Sequence, residues 1–315
     1  EIPKRDWSSD VCSSDLVLDK ARESGNELTK AGGIFHAQPV AAGRKMRGAI
    51  LARVTITEWA MRRSWIAVGF VAMCVSAWAA ENYPSRPIRL LVPFAPGGGN
   101  DIAARFVALR LTEAFGQSAV VDNRAGAGST IGTEIVARSA PDGYTLLVVH
   151  NAIAINQTLY AKLPYDTIRD FAQVALIGST TNTLVVNPNV PARSTKEVIA
   201  LAKAKPGALN YASTGGGGTA HLAMEYFKLE THADLAHIPY KGTAPGLTDV
   251  VAGQVQVMIS ALPGTVPFIN SKRVIALATT GKKRSAFLPE LPTLDESGVP
   301  GYEFDTWYGV HAPAK

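Results

Sequence analysis

Twice in this chain a strand pattern runs through a cluster of glycines straight into a helix pattern, and few folds use that unit twice. The first copy is residues 88–101, IRLLVPFAPGGGND, and the second is residues 211–221, YASTGGGGTAH. Residues 88–94 form a continuous apolar run, as in a strand covered on both faces. Gly97, Gly98 and Gly99 break it, and Asn100 opens a helix reaching about Phe115. A glycine loop at such a junction lets backbone approach a ligand closely, and the helix start offers unpaired N–H groups and a dipole that suit an anion. Neither loop is a Walker A motif or a GxGxxG fingerprint. A single loop of this kind is a tight turn as readily as a site. Two of them, one in each half of the chain, point to a ligand clamped between two lobes. Asp101 reads as the cap of its own helix, because a carboxylate beside an anionic ligand would repel it.

The rest of the pattern alternates strands and helices, which predicts an α/β fold with a largely parallel sheet. Strands are expected at 119–122, 145–149, 184–186, 211–213, 236–239, 257–260 and 274–278. Helices are expected at 131–139, 219–229 and 243–252, and from Ser194 to about Lys205 with Glu197 at the capping-box position. In the helix after the first glycine loop, Ile102, Phe106, Leu109 and Ala114 recur at helical spacing and predict its buried face. The two lobes are expected to join near 184–187 and again near 303–309.

Residues 61–83, MRRSWIAVGFVAMCVSAWAAENY, carry two arginines, an apolar run and the small-x-small site Ala77-Trp78-Ala79. That is a secretory signal peptide, cleaved after residue 79 or 80, and its apolar run is shorter than the ~20 residues that span a bilayer. Translation is expected to start at Met61. Residues 1–60, with the repeated SSD of RDWSSDVCSSDL, are expected to be a non-native extension. Of the 31 Lys and Arg, 11 precede residue 81, and of the 26 Asp and Glu, 8 do, so the exported part carries a net +2 rather than +5. No basic tract exceeds Lys282-Lys283-Arg284 and no aromatics interleave with it, which excludes the footprint of a nucleic-acid-binding protein. Cys12 and Cys74 both precede the exported part, leaving it without disulfide, thiolate nucleophile or sulfur ligand.

His221 is the tempting catalyst, yet no Ser–His–Asp spacing marks a triad, no HxH or HxxxH pair marks a metal site, and Ser213 lacks the GxSxG elbow. It reads as a hydrogen-bonded positioning residue near Ser213 and Thr219. Lys241, in the segment HIPYKG that His237 opens, could meet an anion or simply be solvated. A secreted hydrolase using Ser213 and His221 is the rival reading.

The segments 83–101, 120–147 (VVDNRAGAGSTIGTEIVARSAPDGYTLL), 163–166 (LPYD), 211–227 (YASTGGGGTAHLAMEYF), 237–255 (HIPYKGTAPGLTDVVAGQV) and 291–314 (LPTLDESGVPGYEFDTWYGVHAPA) resemble the Bug family. These are extracytoplasmic solute receptors of tripartite tricarboxylate transporters. The resemblance implies a periplasmic-binding-protein fold (type II-like) of two Rossmann-like lobes with a central cleft: lobe one at 83–186 plus 302–315, lobe two at 187–301. It implies a periplasmic, monomeric receptor without cofactor or metal, holding a small carboxylate through loop amides and ordered waters and delivering it to membrane permease subunits. A sensory receptor with a signalling partner is an alternative. By the same resemblance, Phe94, Pro96, Gly97, Gly98 and Asp101 belong to the first clamp loop. Ser213, Gly215, Gly217, Gly218, Thr219 and His221 belong to the second. Asn151 and Ala152 lie in the cleft-lining loop 150–156, and Tyr240 and Lys241 near the hinge side of lobe two. Against the family pattern the chain stops early after APAK, so the helical part completing lobe one is expected to be missing. Trp307, the only tryptophan after residue 80, is expected at the return crossover, where it would report closure.

Overall fold

The computed structural model describes residues 83–314. The signal at 61–80, the extension before it, both cysteines and Lys315 lie outside the described residues.

The first lobe begins with β1 (Ile88–Val92), α1 (Gly99–Phe115), β2 (Ala119–Asn123), α2 (Thr130–Ala137), β3 (Thr145–His150) and α3 (Ala152–Leu159). A 16-residue strand, β4 (Phe171–Val186), then leads into α4 (Thr195–Ala204), β5 (Leu209–Ser213), α5 (Thr219–Thr231), β6 (Leu235–Pro239), α6 (Thr243–Ala252), β7 (Val257–Ala261), α7 (Leu262–Asn270) and β8 (Ile275–Thr279). β9 (Asp305–Pro313) returns to the first lobe.

The strands are ordered β2-β1-β3-β9-β4-β7-β5-β6, with β8 also on β4. Each lobe has a parallel trio: β2-β1-β3 in the first and β6-β5-β7 in the second. The expected largely parallel sheet is corrected to a mixed one, because β4 and β9 run antiparallel to their neighbours. The inner strands β1, β3, β5 and β7 are largely covered on two faces, so they read as apolar runs, whereas the edge strands β2 and β6 stay partly exposed. Leu90, Leu91 and Val92 pack with Leu147, Val148 and Val149 in one core. Tyr211, Val257 and Ile259 pack with Met224 and Phe227 in the second lobe.

Three of the expected elements differ, and α7 and β9 were not expected at all. The predicted stretch 184–186 is only the end of β4, whose first half pairs with β9 through two register shifts and exposes Val174 and Leu176. The loop at 150–156 is helical from Ala152. In α1 the buried stripe is Ala104 and Ala108, with half-buried Val107 and Leu111, whereas Ile102, Phe106 and Leu109 are exposed. Both stripes have helical spacing. The smaller side chains win because they let the helix lie close to the sheet.

β4 passes from β9 to β7 between Thr181 and Asn182, and the chain returns at Phe304 immediately beside it. Asn182 ties the two passages together. Its Nδ2 donates to the Phe304 carbonyl at 2.8 Å, its Oδ1 accepts from Thr306 Oγ1 at 2.8 Å, and its amide donates to Thr280 Oγ1 at 2.9 Å. Thr280 Oγ1 in turn donates to the Phe304 carbonyl at 2.6 Å. Asn182 Nδ2 also donates to Thr280 Oγ1 at 3.3 Å, and the side chain is buried, so Asn182→Ala, which removes all three side-chain bonds, should cost about 2 kcal/mol. Urea unfolding with an unchanged m-value checks it, and a shift under about 0.5 kcal/mol would show that the clasp contributes little.

Candidate ligand-binding site

Three helices start at one cavity between the lobes. Gly98 to Asn100 of the α1 start, Thr219 and Ala220 of α5, and Thr243 of α6 all line it, together with Phe94, His150, Thr214 and Tyr308. None of these helices has a side-chain cap hydrogen bond. In α1 the first intrahelical bond is Ile102 N–H to the Gly98 carbonyl, so the amides of Gly99, Asn100 and Asp101 precede it. In α5 the amides of Thr219 and Ala220 precede the bonds that the Gly218 carbonyl accepts from His221 and Leu222. The cavity is small, 20 Å³, which is room for about one water.

Among the described residues its walls carry no Asp, Glu, Lys or Arg. Asn100 Oδ1, Thr214 Oγ1 and Tyr308 OH are buried there without a hydrogen-bond partner among the described residues. The Ala152 amide donates to His150 Nδ1 at 3.0 Å, and burial holds the His150 pKa down to about 3. The ring is therefore neutral with its proton on Nε2, a donor at the cavity wall. Its other face lies against Phe94, ring centres 4.6 Å apart. Burial raises the Tyr308 pKa, which keeps that hydroxyl protonated. The result is a cluster of neutral donors and helix dipoles suited to one anionic group.

The sequence-predicted residues divide into wall, scaffold and surface. Phe94, Gly98 and Thr219 line the cavity. Pro96 and Gly97 are exposed and lie outside it. Asp101 lies in the first turn of α1, where it accepts from the Gly97 amide at 3.1 Å and pairs with Arg105 at 2.9 Å; the N-cap is Gly98, which corrects the reading of Asp101 as the cap. Asn151 reaches the Asp305 carbonyl at 3.4 Å, and Ala152 serves by fixing His150.

In the second glycine loop the amides are largely committed to the loop itself. Gly215 donates to Ser213 Oγ at 3.1 Å, Gly217 to His221 Nδ1 at 3.3 Å, and Gly218 to the Gly215 carbonyl at 3.0 Å. Beneath the loop, Tyr211, His237 and His221 stack with centroid spacings of 4.9 and 4.3 Å. Ser213 Oγ lies 2.6 Å from His237 Nε2, not beside His221, and Ser213 is fully buried. Burial, reinforced by the neighbouring His221, lowers His237 to about 4, and burial also lowers His221. Tyr240 donates to Asp249 Oδ2 at 2.6 Å, and its pKa rises to about 12 by burial and that contact.

Asn100, His150, Asn182, Thr214, Ser260 and Tyr308 of the wall were not singled out from sequence. Asn100 and Thr214 sat inside the two glycine motifs, and His150 begins the segment HNAIAIN. Tyr308 had a weaker signal, its place next to Trp307. Strand alternation sends those two side chains to opposite faces. Trp307 lines a surface groove with Val174 and Leu176 instead of the cleft, which corrects its expected role as a closure reporter.

The lobes meet around this cavity. The Ala95 amide donates to the Lys241 carbonyl at 2.9 Å, and Tyr160 OH donates to the Gly216 carbonyl at 2.9 Å. The sequence profile described as tripartite tricarboxylate transporter family receptor matches residues 103–315. This chain belongs to that receptor family. It is 40% identical to protein BugT of Bordetella pertussis over 251 residues, 79% of this chain and 76% of that protein. A structure of an R. palustris protein with adipate is 39% identical, with a TM-score of 0.72 over 74% of this chain and 78% of that one. MatC of Rhodopseudomonas palustris with bound malate is 31% identical, with a TM-score of 0.71 over 73% of this receptor and 79% of that chain. The receptor thus has the two-lobed α/β fold of the periplasmic binding proteins. Among the described residues no helix is long and apolar enough to cross a membrane.

Proposed function

We propose that this receptor captures a small carboxylate between its lobes in the periplasm and hands it, unaltered, to the membrane subunits of a tripartite tricarboxylate transporter. The observation that carries this reading is the meeting of the α1 and α5 starts at one buried cavity walled by neutral donors. Hydrogen bonds to a charged acceptor contribute about 1.5–3 kcal/mol each, and micromolar binding needs only about 8 kcal/mol net. The adipate and malate held by two relatives fit the same ligand class. In this reading Phe94, Gly98 and Thr219 face the ligand with His150 and Tyr308. Ser213, Gly215, Gly217, Gly218 and His221 shape the second loop, and Asp101 and Ala152 hold the first lobe's donors in place. The receptor works as a monomer, needs no metal or cofactor, and hinges where β4 changes partners.

A hydrolase is disfavoured by geometry: the Ser213 hydroxyl is fully buried and engaged by His237. Calorimetric titration of the exported receptor with di- and tricarboxylates, aromatic carboxylates and amino acids tests the reading. At least one acid should bind at micromolar Kd, and Ser213→Ala should remove no esterase activity, because there is none to remove. A folded protein that takes up no carboxylate, or one that hydrolyses esters through Ser213, would overturn it.

A further inference from the structure

The second glycine loop is fastened to the lobe beneath it by imidazole. The Gly217 amide donates to His221 Nδ1 at 3.3 Å, so that nitrogen must keep a free lone pair. A parallel link starts at Gly215, whose amide donates to Ser213 Oγ at 3.1 Å, and that hydroxyl meets His237 Nε2 at 2.6 Å. The two imidazoles stack with centres 4.3 Å apart, and Tyr211 of β5 stacks on His237 of β6. Both rings are half-buried, so protons from the medium reach them. The charged groups facing them are Glu225 and Lys228 of α5, which pair with each other at 3.0 Å. Burial lowers the His221 pKa below its ordinary 6.5, with Glu225 opposing and Lys228 adding to the shift, so the ring is neutral at pH 7.

The neutral form of His221 matters to the other lobe. Gly217 has a φ of 79° and lies so close to α3 that a Cβ there would overlap Asn156 Oδ1. Its neighbour Gly216 supplies the carbonyl that Tyr160 grips across the lobes. A proton added at Nδ1 turns the acceptor into a donor that faces the Gly217 N–H. That bond is then lost, and the segment meeting the first lobe loses its tether. We propose that His221 is a proton-operated latch for lobe closure: neutral, it holds the second loop in the shape that meets the first lobe, and protonated, it releases Gly217 and loosens capture in acid. The tether stands on the loop alone, whereas its effect on capture rests on the carboxylate-capture reading.

Nuclear magnetic resonance and calorimetry test the two parts separately. In the receptor without added acid, the Gly217 amide proton should shift upfield between pH 7.5 and 5.0, with the same midpoint as the His221 ring nitrogens. In His221→Asn, whose Oδ1 accepts without titrating, that shift should vanish. Over the same interval adipate affinity should fall at least fivefold more in the parent than in His221→Asn. The protonation of adipate and of His150 is common to both proteins and cancels from that comparison. A Gly217 signal that does not follow His221, a ring still neutral at pH 5.0, or an equal loss of adipate affinity in both proteins overturns the latch. The Gly217 titration of the parent decides the tether even where His221→Asn fails to fold or adipate does not bind. A receptor that takes up no acid of any kind overturns carboxylate capture, and with it the effect on capture, while a Gly217 signal that follows His221 still upholds the tether.

Discussion

Gly128→Ala is expected to weaken ligand capture at least a hundredfold while leaving both lobes folded. A Cβ built on Gly128 would overlap the Gly216 carbonyl oxygen and come within 3.1 Å of Tyr160 OH. Gly128 belongs to the first lobe and Gly216 to the second, so the overlap exists only while the lobes meet. The φ of 59° adds a cost of about 1–2 kcal/mol for alanine, and that cost is the same whether the lobes are open or shut. The overlap therefore falls on the shut form alone, and a penalty near 3 kcal/mol there lowers apparent affinity about a hundredfold. Tyr160→Phe, which removes one cross-lobe hydrogen bond, should show a milder version of about tenfold or less. Calorimetry gives the affinities, and small-angle scattering at saturating acid gives the shape. A Gly128→Ala receptor that compacts and binds like its parent would show that the lobes do not approach here.

The second large effect is with pH. Burial holds His150 near pKa 3 in the folded chain against about 6.5 unfolded. A histidine with a depressed folded pKa leaves the unfolded state binding more protons. Stability is therefore full above about pH 6.5 and falls as the pH drops from there toward 3. The slope approaches about 1.4 kcal/mol per pH unit below the unfolded pKa, so His150 alone removes about 2 kcal/mol between pH 6.5 and 4.5. His237, lowered to about 4, acts in the same direction over a narrower window. Asp101 belongs to a different window. Burial pushes its carboxyl up, but hydrogen bonds from Arg105 and the Gly97 amide more than reverse that, so its contribution is lost only below about pH 4. Urea unfolding at pH 7, 5.5 and 4.5 separates the two. Stability that stays level down to pH 4.5 would mean that His150 is not held neutral by burial.

Much of the fold was legible because its parallel strands are buried on both faces and its glycine loops punctuate them. Ser194 illustrates a local signal that needed no tertiary help: its side chain accepts from the Glu197 amide at 3.3 Å, as the capping spacing predicts. β4 was not legible over most of its length, because one face is open to solvent and two register shifts break its period. α7 was missed because Pro267 sits inside it, and β9 because Gly309 and Pro313 interrupt its pattern. The two glycine loops led to the cavity, but in the second the amides of Gly215, Gly217 and Gly218 are spent on the loop itself. The wall is completed by Asn182, Ser260 and Tyr308, from strands far apart in sequence that only the sheet order brings together.

The clasp at Asn182 has a mechanical consequence. Two backbone passages lying side by side, laced by amide and hydroxyl groups, should resist sliding and unscrewing, so the hinge proposed here would bend along the line between them. A molecule jointed that way would have one easy degree of freedom, like the spine of a book. Its outline is then governed by a single angle, and that angle is what any protein docking on both lobes would sense.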